Sequence, residues 1–266
     1  MKRTLFAVAA LLLTIAGCKS DFGSIPTSVP LGVVTIAMAD APNGVHTTSP
    51  VAYFVNAVNV SIPNSGTSAD TCAQLAYPGA NTPAALAQID AGSPVTVATT
   101  TDTAQLTPQA PDANGYVFYR MAPNDSITVR PGSTSRVIIP GASNGYHAFN
   151  STFVNADSLV VQPIDATKDS TGDLTVHWNQ QVGPRASVVL QFLFSSGGGV
   201  PNTQIFCQFT DNGSHAVEAR LANLWRNGSA KHVHAYRFLT TITNDGTDQL
   251  DVVSQYSTDS TQILNP

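Results

Sequence analysis

The sequence predicts an all-β protein built from two β-sandwich domains, the second immunoglobulin-like. Three observations lead there. Charged residues make up 11% of the 266 residues, against about 25% in an ordinary globular domain. One Glu and four Lys stand against 29 Thr and 26 Val, a bias towards strands and away from long helices, coiled coils and disorder. Sixteen Asp to a single Glu place the carboxylates in turns rather than along helix faces. The formal charge of −5 and pI near 5.5 offer no basic face for phosphates, so a nucleic-acid partner is not expected.

At the amino terminus, Lys2 and Arg3 precede an apolar run from Leu5 to Ile15 and the small residues Ala16 and Gly17. This reads as an export signal over residues 1–17, too short for the roughly 20 apolar residues that span a bilayer. Ile15-Ala16-Gly17-Cys18 resembles the lipobox of bacterial lipoproteins. That resemblance implies cleavage before Cys18, acylation of Cys18, and anchoring in a membrane through acyl chains. Several chains hold a protein on a bilayer stably, whereas one gives marginal binding. Lys19 and Ser20 follow, without the Asp that retains such lipoproteins at the inner membrane, so the resemblance favours the outer membrane of the cell envelope. Residues 18–30, with two prolines and no period, read as a tether.

Downstream, β-branched or apolar runs alternate with turn residues. Strands are expected at Gly32–Ala37, Val51–Ile62, Pro94–Thr99, Tyr116–Met121, Ser126–Arg130 and Ser135–Pro140. A second series comprises Ser158–Pro163, Asp173–Trp178, Ala186–Phe194, Thr203–Thr210, Lys231–Ile242 and Gln249–Tyr256. Only Pro83–Ile89 and Val217–Trp225 suggest short helices. The polar stretch from Pro163 to Gly172 divides the chain into a β domain over 31–164 and a second over 165–266, whose size suits an immunoglobulin-like sandwich. Leu174, Val176 and Trp178 share one strand face, and Val188, Leu190, Phe192 and Phe194 another, so the two faces are expected to meet in the core. Ile89-Asp90-Ala91-Gly92, Pro140-Gly141-Ala142, Leu174 to Trp178, and Cys207 with Asp211 and Gly213 together resemble the layout of uncharacterised β-rich proteins exported by soil bacteria. That resemblance implies two β domains and no particular activity.

Residues able to carry chemistry are few. Cys72 and Cys207 are candidates for a disulfide in an exported compartment, the alternative being two separate thiols with Cys207 buried in its strand. His232 and His234 project from one strand face at a spacing that suits a metal. The phrase His-Val-His resembles the copper strand of copper–zinc superoxide dismutases, but the other four histidines do not sit in that family's ligand loop. Asp165, Asp169 and Asp173, and Asp245, Asp248 and Asp251, are acid-rich turns that match no EF-hand. No nucleophile motif, zinc-protease motif or phosphate-binding glycine loop occurs. No cofactor is therefore expected. The sequence favours a lipid-anchored, non-enzymatic binding, adhesion or envelope module with a protein or glycan ligand held by loops 64–73, 141–150 or 179–185. The competing readings are a copper or zinc enzyme using His232 and His234, and a carbohydrate-binding module stacking sugars on Trp178, Trp225, Tyr146 and Tyr236.

Overall fold

The computed structural model describes residues 29–39, 41, 45–56, 70–77, 87–112, 115–166, 172–259 and 261–265. The leader, Cys18, nearly all of the tether, the start of the 64–73 loop, and parts of the expected segments Val51–Ile62, Pro83–Ile89 and Pro163–Gly172 lie outside these residues. The described chain is all-β with one short helix. Its first strands are β1 (Pro30–Ala39), β2 (His46–Thr48), β3 (Val51–Asn56), β4 (Thr71–Ala76), β5 (Ala87–Gln88) and β6 (Val95–Ala98). Next come β7 (Thr103–Pro108), β8 (Tyr119–Arg120), β9 (Ile127–Val129), β10 (Thr134–Ile139), β11 (Phe149–Val154), β12 (Ile164–Asp165) and β13 (Leu174–His177). The last are β14 (Ser187–Ser195), β15 (Thr203–Thr210), β16 (Ser214–Val217), the helix α1 (Ala219–Arg226), β17 (Ser229–Asn244), β18 (Gln249–Thr258) and β19 (Ile263–Leu264).

One sheet of 13 strands runs in the order β11-β10-β6-β7-β8-β3-β1-β18-β17-β14-β15-β4, with β5 beside β3. Strand β1 is antiparallel to β3 and parallel to β18, Leu31 lying opposite Gln249 and Ala39 opposite Ser257. At the far end β4 pairs with β15. The boundary expected at 164/165 is thus crossed twice, because a strand from the amino-terminal half completes each neighbour in the carboxy-terminal half. A parallel pair needs a long crossover, and here the rest of the chain is that crossover. Cys72 and Cys207 are direct register partners and are joined by a disulfide of 2.07 Å. Closing a loop across 135 positions stabilises by about 4–5 kcal/mol in the chain-entropy model.

The inner face of the sheet carries one continuous apolar core that draws on both halves, from Val34, Phe54 and Val97 to Leu190, Phe192 and Trp225. The faces of Leu174, Val176 and Trp178 and of Val188, Leu190, Phe192 and Phe194 do meet in it. The sheet curls until β11 lies over β17 and β18. Three polar contacts fix that approach: Ser151 with Thr243 at 2.8 Å, the Ala156 N–H on the Ser254 hydroxyl at 2.9 Å, and the Tyr146 hydroxyl on the Gln249 carbonyl at 2.7 Å.

A buried charge sits where the halves meet. The Arg237 side chain on β17 is wholly buried and donates from Nε to Asp211 Oδ2 at 2.8 Å. Its Nη1 reaches the Ser158 carbonyl at 2.7 Å and its Nη2 the Asn179 carbonyl. Asp211 in turn accepts from the Trp178 indole at 2.8 Å and from the Gln181 N–H at 3.2 Å. One guanidinium thereby ties together the linker at 157–160, the loop after β13 and the turn after β15.

Several expected strands change length for local reasons. Ser158–Pro163 is no ladder strand: its single bridge joins Val161 to Trp178, because Arg237 and the Asn179 side chain occupy the Ser158 carbonyl, while Asn179 also takes the Val160 N–H. Tyr116–Met121 shrinks to β8, its start held by the Asp112 carboxylate on the Tyr116 N–H. The expected helix at Val217–Trp225 forms as α1, whereas β5 occupies Ala87–Gln88 in place of a helix end.

Replacing Arg237 by Met leaves Asp211 buried and uncompensated. Chemical denaturation is expected to show a loss of about 3–5 kcal/mol, the usual result of removing one member of a buried pair. An Arg237→Met, Asp211→Leu double variant is expected to regain part of it.

Candidate functional site

The sequence motifs prove to be joints. Asp90 accepts the Gly92 N–H at 2.9 Å and the Tyr119 hydroxyl at 3.0 Å on the same oxygen. The Ala91 carbonyl receives the Gly141 N–H at 3.0 Å, and the Asp90 carbonyl receives the Tyr146 N–H at 2.8 Å. Ile89–Gly92 and Pro140–Ala142 are therefore two sides of one knot. Side chains are excluded from its centre: a Cβ on Gly92 would lie 2.3 Å from the Gly141 carbonyl oxygen, and one on Gly145 would lie 2.0 Å from that of Asp90. The loop at 141–150 closes on itself and on Asp248, whose Oδ2 accepts both the His147 N–H at 2.6 Å and its ring Nδ1 at 3.0 Å. The loop at 179–185 buries Gln181, ties the exposed Asn179 side chain to the Ser158 carbonyl and the Val160 N–H, and exposes Val182.

Three of the four aromatics expected to stack sugars are in the core. Trp178, Trp225 and Tyr146 are buried, by packing against Phe209, Phe192 and Phe54 respectively. Only Tyr236 reaches the surface. His232 and His234 do share an outward face of β17, as strand alternation requires. Nδ1 of His234 is engaged by the Asp259 carboxylate, and among the described residues no three His, Cys, Asp or Glu are grouped so as to hold a metal ion. In the acid-rich turn at 245–251, Asp245 is likewise spent internally. Asp245 Oδ1 caps the Thr247 and Asp248 N–H groups, and those bonds, with the Thr247 hydroxyl, hold its carboxyl below the ordinary range.

What remains is the outer face of the large sheet. Register places Tyr236 beside Val189 and then Gln208 across β17, β14 and β15, with His234, Gln191 and Phe206 in the adjacent row. Phe238 lies beside Gln255 of β18, and Tyr236 beside Ser257. The rings of Tyr236 and Phe238 are 6.1 Å apart and 30° from parallel. Tyr236, Phe238, Phe206 and Gln191 are half-buried, while Gln208 is buried and its Oε1 accepts no hydrogen bond. Gln191 donates to Gln204, which donates onward to the Ala76 carbonyl at 2.9 Å. Towards β3 the same face becomes an apolar cluster of Leu31, Val33, Val55 and Val253, flanked by Tyr53 and Phe238. Beyond it the Tyr53 ring meets Phe118, over which Arg120 sits at 5.1 Å.

Electrically this face is quiet. Burial, then Asp259 and Tyr77, push the Tyr236 hydroxyl above its ordinary value. Burial, then Asp251 and Tyr116, do the same for Tyr53. Both stay neutral hydroxyls near pH 7 and beyond. Across β14, β15, β17 and β18 no Lys or Arg occupies an outward position, and the one acid there within a strand is Asp251, which is buried. Its Oδ1 accepts from Gln249 at 2.8 Å, and its Oδ2 has no partner. Sequence periodicity contained this surface, since Tyr236 and Phe238 alternate with core residues. The missing signal was which strands stand beside β17.

No protein-family model and no curated protein matches the chain. Among solved structures it is similar to the yeast delta-COP-I mu-homology domain bound to a WxWxV peptide, at 8% identity and a TM-score of 0.26, over 90% of this chain and 100% of that one. It is also similar to a DUF4785 family protein from Legionella pneumophila, at 9% identity and a TM-score of 0.22, over 77% of this chain and 49% of that one. Likeness at this level carries no functional argument.

Desolvation raises the Asp251 carboxyl above its ordinary value, against the opposing bond from Gln249. A carboxyl that binds its proton more tightly when folded contributes stability below its unfolded value of about 3.9, and loses it as pH rises through the folded value. Asp251→Asn is therefore expected to raise the melting temperature at pH 7 and to lose that advantage as pH falls towards 4.

Proposed function

We propose that the protein is an exported, lipid-anchored binding module of the cell envelope, held by acyl chains on Cys18 and without catalytic chemistry of its own. One observation carries the binding part of this reading. The Asp, Trp and Arg side chains that would suggest a reaction centre are bonded to one another inside the fold, whereas the aromatics Tyr236, Phe238 and Phe206 and the amide of Gln191 stay half-buried on the outer sheet face. Aromatics and amides arranged side by side suit recognition, which needs area and complementary groups, better than bond-making, which needs a cleft with convergent groups.

The anchoring part rests on the leader and lipobox pattern at residues 1–18. The tether then has a defined end. Pro30, opposite Asn56, opens β1 at the end of the sheet where the β17–β18 hairpin turns. From Asn244 at that hairpin, β17 runs 16 residues to Ser229, a span of about 50 Å at 3.3 Å per residue. The rows bearing Phe238 and Tyr236 lie about the middle of β17, and the row of His234 lies in the half remote from the tether.

Fractionation tests the anchor. The wild-type chain is expected in the membrane pellet, labelled by palmitate, and Cys18→Ser is expected to be unlabelled and to leave the pellet. A Cys18→Ser chain that stays labelled and membrane-bound overturns this reading.

A further inference from the structure

We propose that two copies of this chain join edge to edge through β4, antiparallel about a two-fold axis at Gln74, so that their large sheets run on as one. The inference goes beyond the binding-module reading and does not rest on it.

The strand β4 ends the large sheet: it pairs with β15 on one side, and no described strand pairs with its other side. Which backbone groups point outward follows from the ladder. The Tyr77 N–H donates to the Asn202 carbonyl at 3.1 Å, and opposed residues of an antiparallel pair alternate between hydrogen-bonded and non-bonded. Ala73 and Leu75 therefore turn their backbone groups to β15, while Cys72, Gln74 and Ala76 turn theirs away from it. The Cα–Cα distance of 4.0 Å between Cys72 and Cys207 agrees, because the non-bonded pairs are the closer ones. Of the outward groups, the Ala76 carbonyl takes the Gln204 amide at 2.9 Å, which leaves it a second lone pair.

Proteins blunt such edges with Lys, Pro, a bulge or a cover. This one reads Thr-Cys-Ala-Gln-Leu-Ala, its register on β15 is unbroken, and Gln74, Leu75 and Ala76 are exposed. The Cys72–Cys207 disulfide fixes the strand to its neighbour, so little ordering is left for association to impose. At the opposite end of the sheet β11 is folded over β17 and β18, with Ser151 bonded to Thr243.

The strand itself argues for a second copy as the occupant. A two-fold interface is self-complementary: where residue i meets residue j, j also meets i. Centring the axis on Gln74 engages all three outward residues, Cys72 lying opposite Ala76 of the second copy and Ala76 opposite its Cys72. That register offers about six backbone hydrogen bonds. At the axis the two Gln74 side chains meet, and an amide, being both donor and acceptor, can pair with its own copy. On the other face Leu75, 46% exposed, comes to lie beside Ala73 of the second copy and loses apolar surface to water. No like charges are opposed, since the paired segment carries no charge. A foreign extended strand is the competing occupant, and the test separates the two.

Sedimentation velocity of the full chain in density-matched detergent tests the proposal. The wild type is expected to show a concentration-dependent dimer. Gln74→Lys and Gln74→Glu each set like charges against one another at the axis, and each is expected to weaken dimerisation about fivefold or more while leaving the melting temperature of the monomer unchanged. An equimolar mixture of the two variants is expected to dimerise again, because opposite charges then face each other. Two chains damaged in folding would not restore one another in this way. Thr152→Lys, on the opposite edge strand β11, is expected to change nothing. A wild type that stays monomeric at every concentration, the result a foreign-strand occupant predicts, overturns the proposal. So does a dimer that Gln74→Lys leaves intact, a dimer that Thr152→Lys abolishes, or a mixture of the two charged variants that stays monomeric. None of these outcomes bears on whether Cys18 anchors the chain, so the pairing inference and the anchoring reading fail separately.

Discussion

A buried guanidinium is expensive to place, and the surroundings of Arg237 show what makes it tolerable. Its charge meets the Asp211 carboxylate, and its Nη1 and Nη2 meet carbonyls at 157–158 and 179. Desolvating both charges costs several kcal/mol per ion, which a single contact does not recover; a guanidinium and carboxylate bonded on every nitrogen and oxygen can. The demand for complete bonding is also what orders the chain nearby. Leu159 anchors segment 157–160 in the core, and the carbonyls of 157, 158 and 179 with the Gln181 N–H fix the rest of 157–160 and 179–181 by serving this pair. The Trp178 indole completes the set on Asp211, so the polar hub and the stacked pair of Trp178 with Phe209 are parts of one joint.

Much of this was legible in the sequence, for a physical reason. A strand buried on one face writes itself as alternation, and the long runs of β14, β15, β17 and β18 are strongly alternating or continuous apolar stretches, so they were read nearly to the residue. β4, β7 and β11 were not. Thr71–Ala76, Thr103–Pro108 and Phe149–Val154 have few β-branched apolar residues, and their strand state comes from neighbours: a disulfide and β15 for β4, β6 for β7, β10 for β11. The sequence boundary near 164 reflected a real drop in apolar content but not a break in pairing. Composition is local, whereas the partner of Leu31 is Gln249, and no window of sequence contains both.

The same limit governed the site. Trp178, Trp225 and Tyr146 are large and amphipathic, and by type alone they suit either a core or a ligand platform. Burial decided against the platform for all three. Tyr236 and Phe238 were visible as one strand's outer residues, yet a sheet face is a property of several strands side by side. Gln191, Gln208 and Phe206 become part of it only through the register of β14 and β15 on β17.

The parallel pairing of β1 with β18 has a consequence for how the chain comes into being. The strand that begins the fold is flanked on one side by a strand that nearly ends it, separated by more than 200 positions. A polypeptide delivered amino terminus first cannot close the middle of its sheet until residues 249–258 have emerged. Contacts this distant in sequence are slow to find. For most of its synthesis, the segment 30–39 must wait with one edge unclaimed, and a product truncated anywhere before β18 would lack not its tip but its centre.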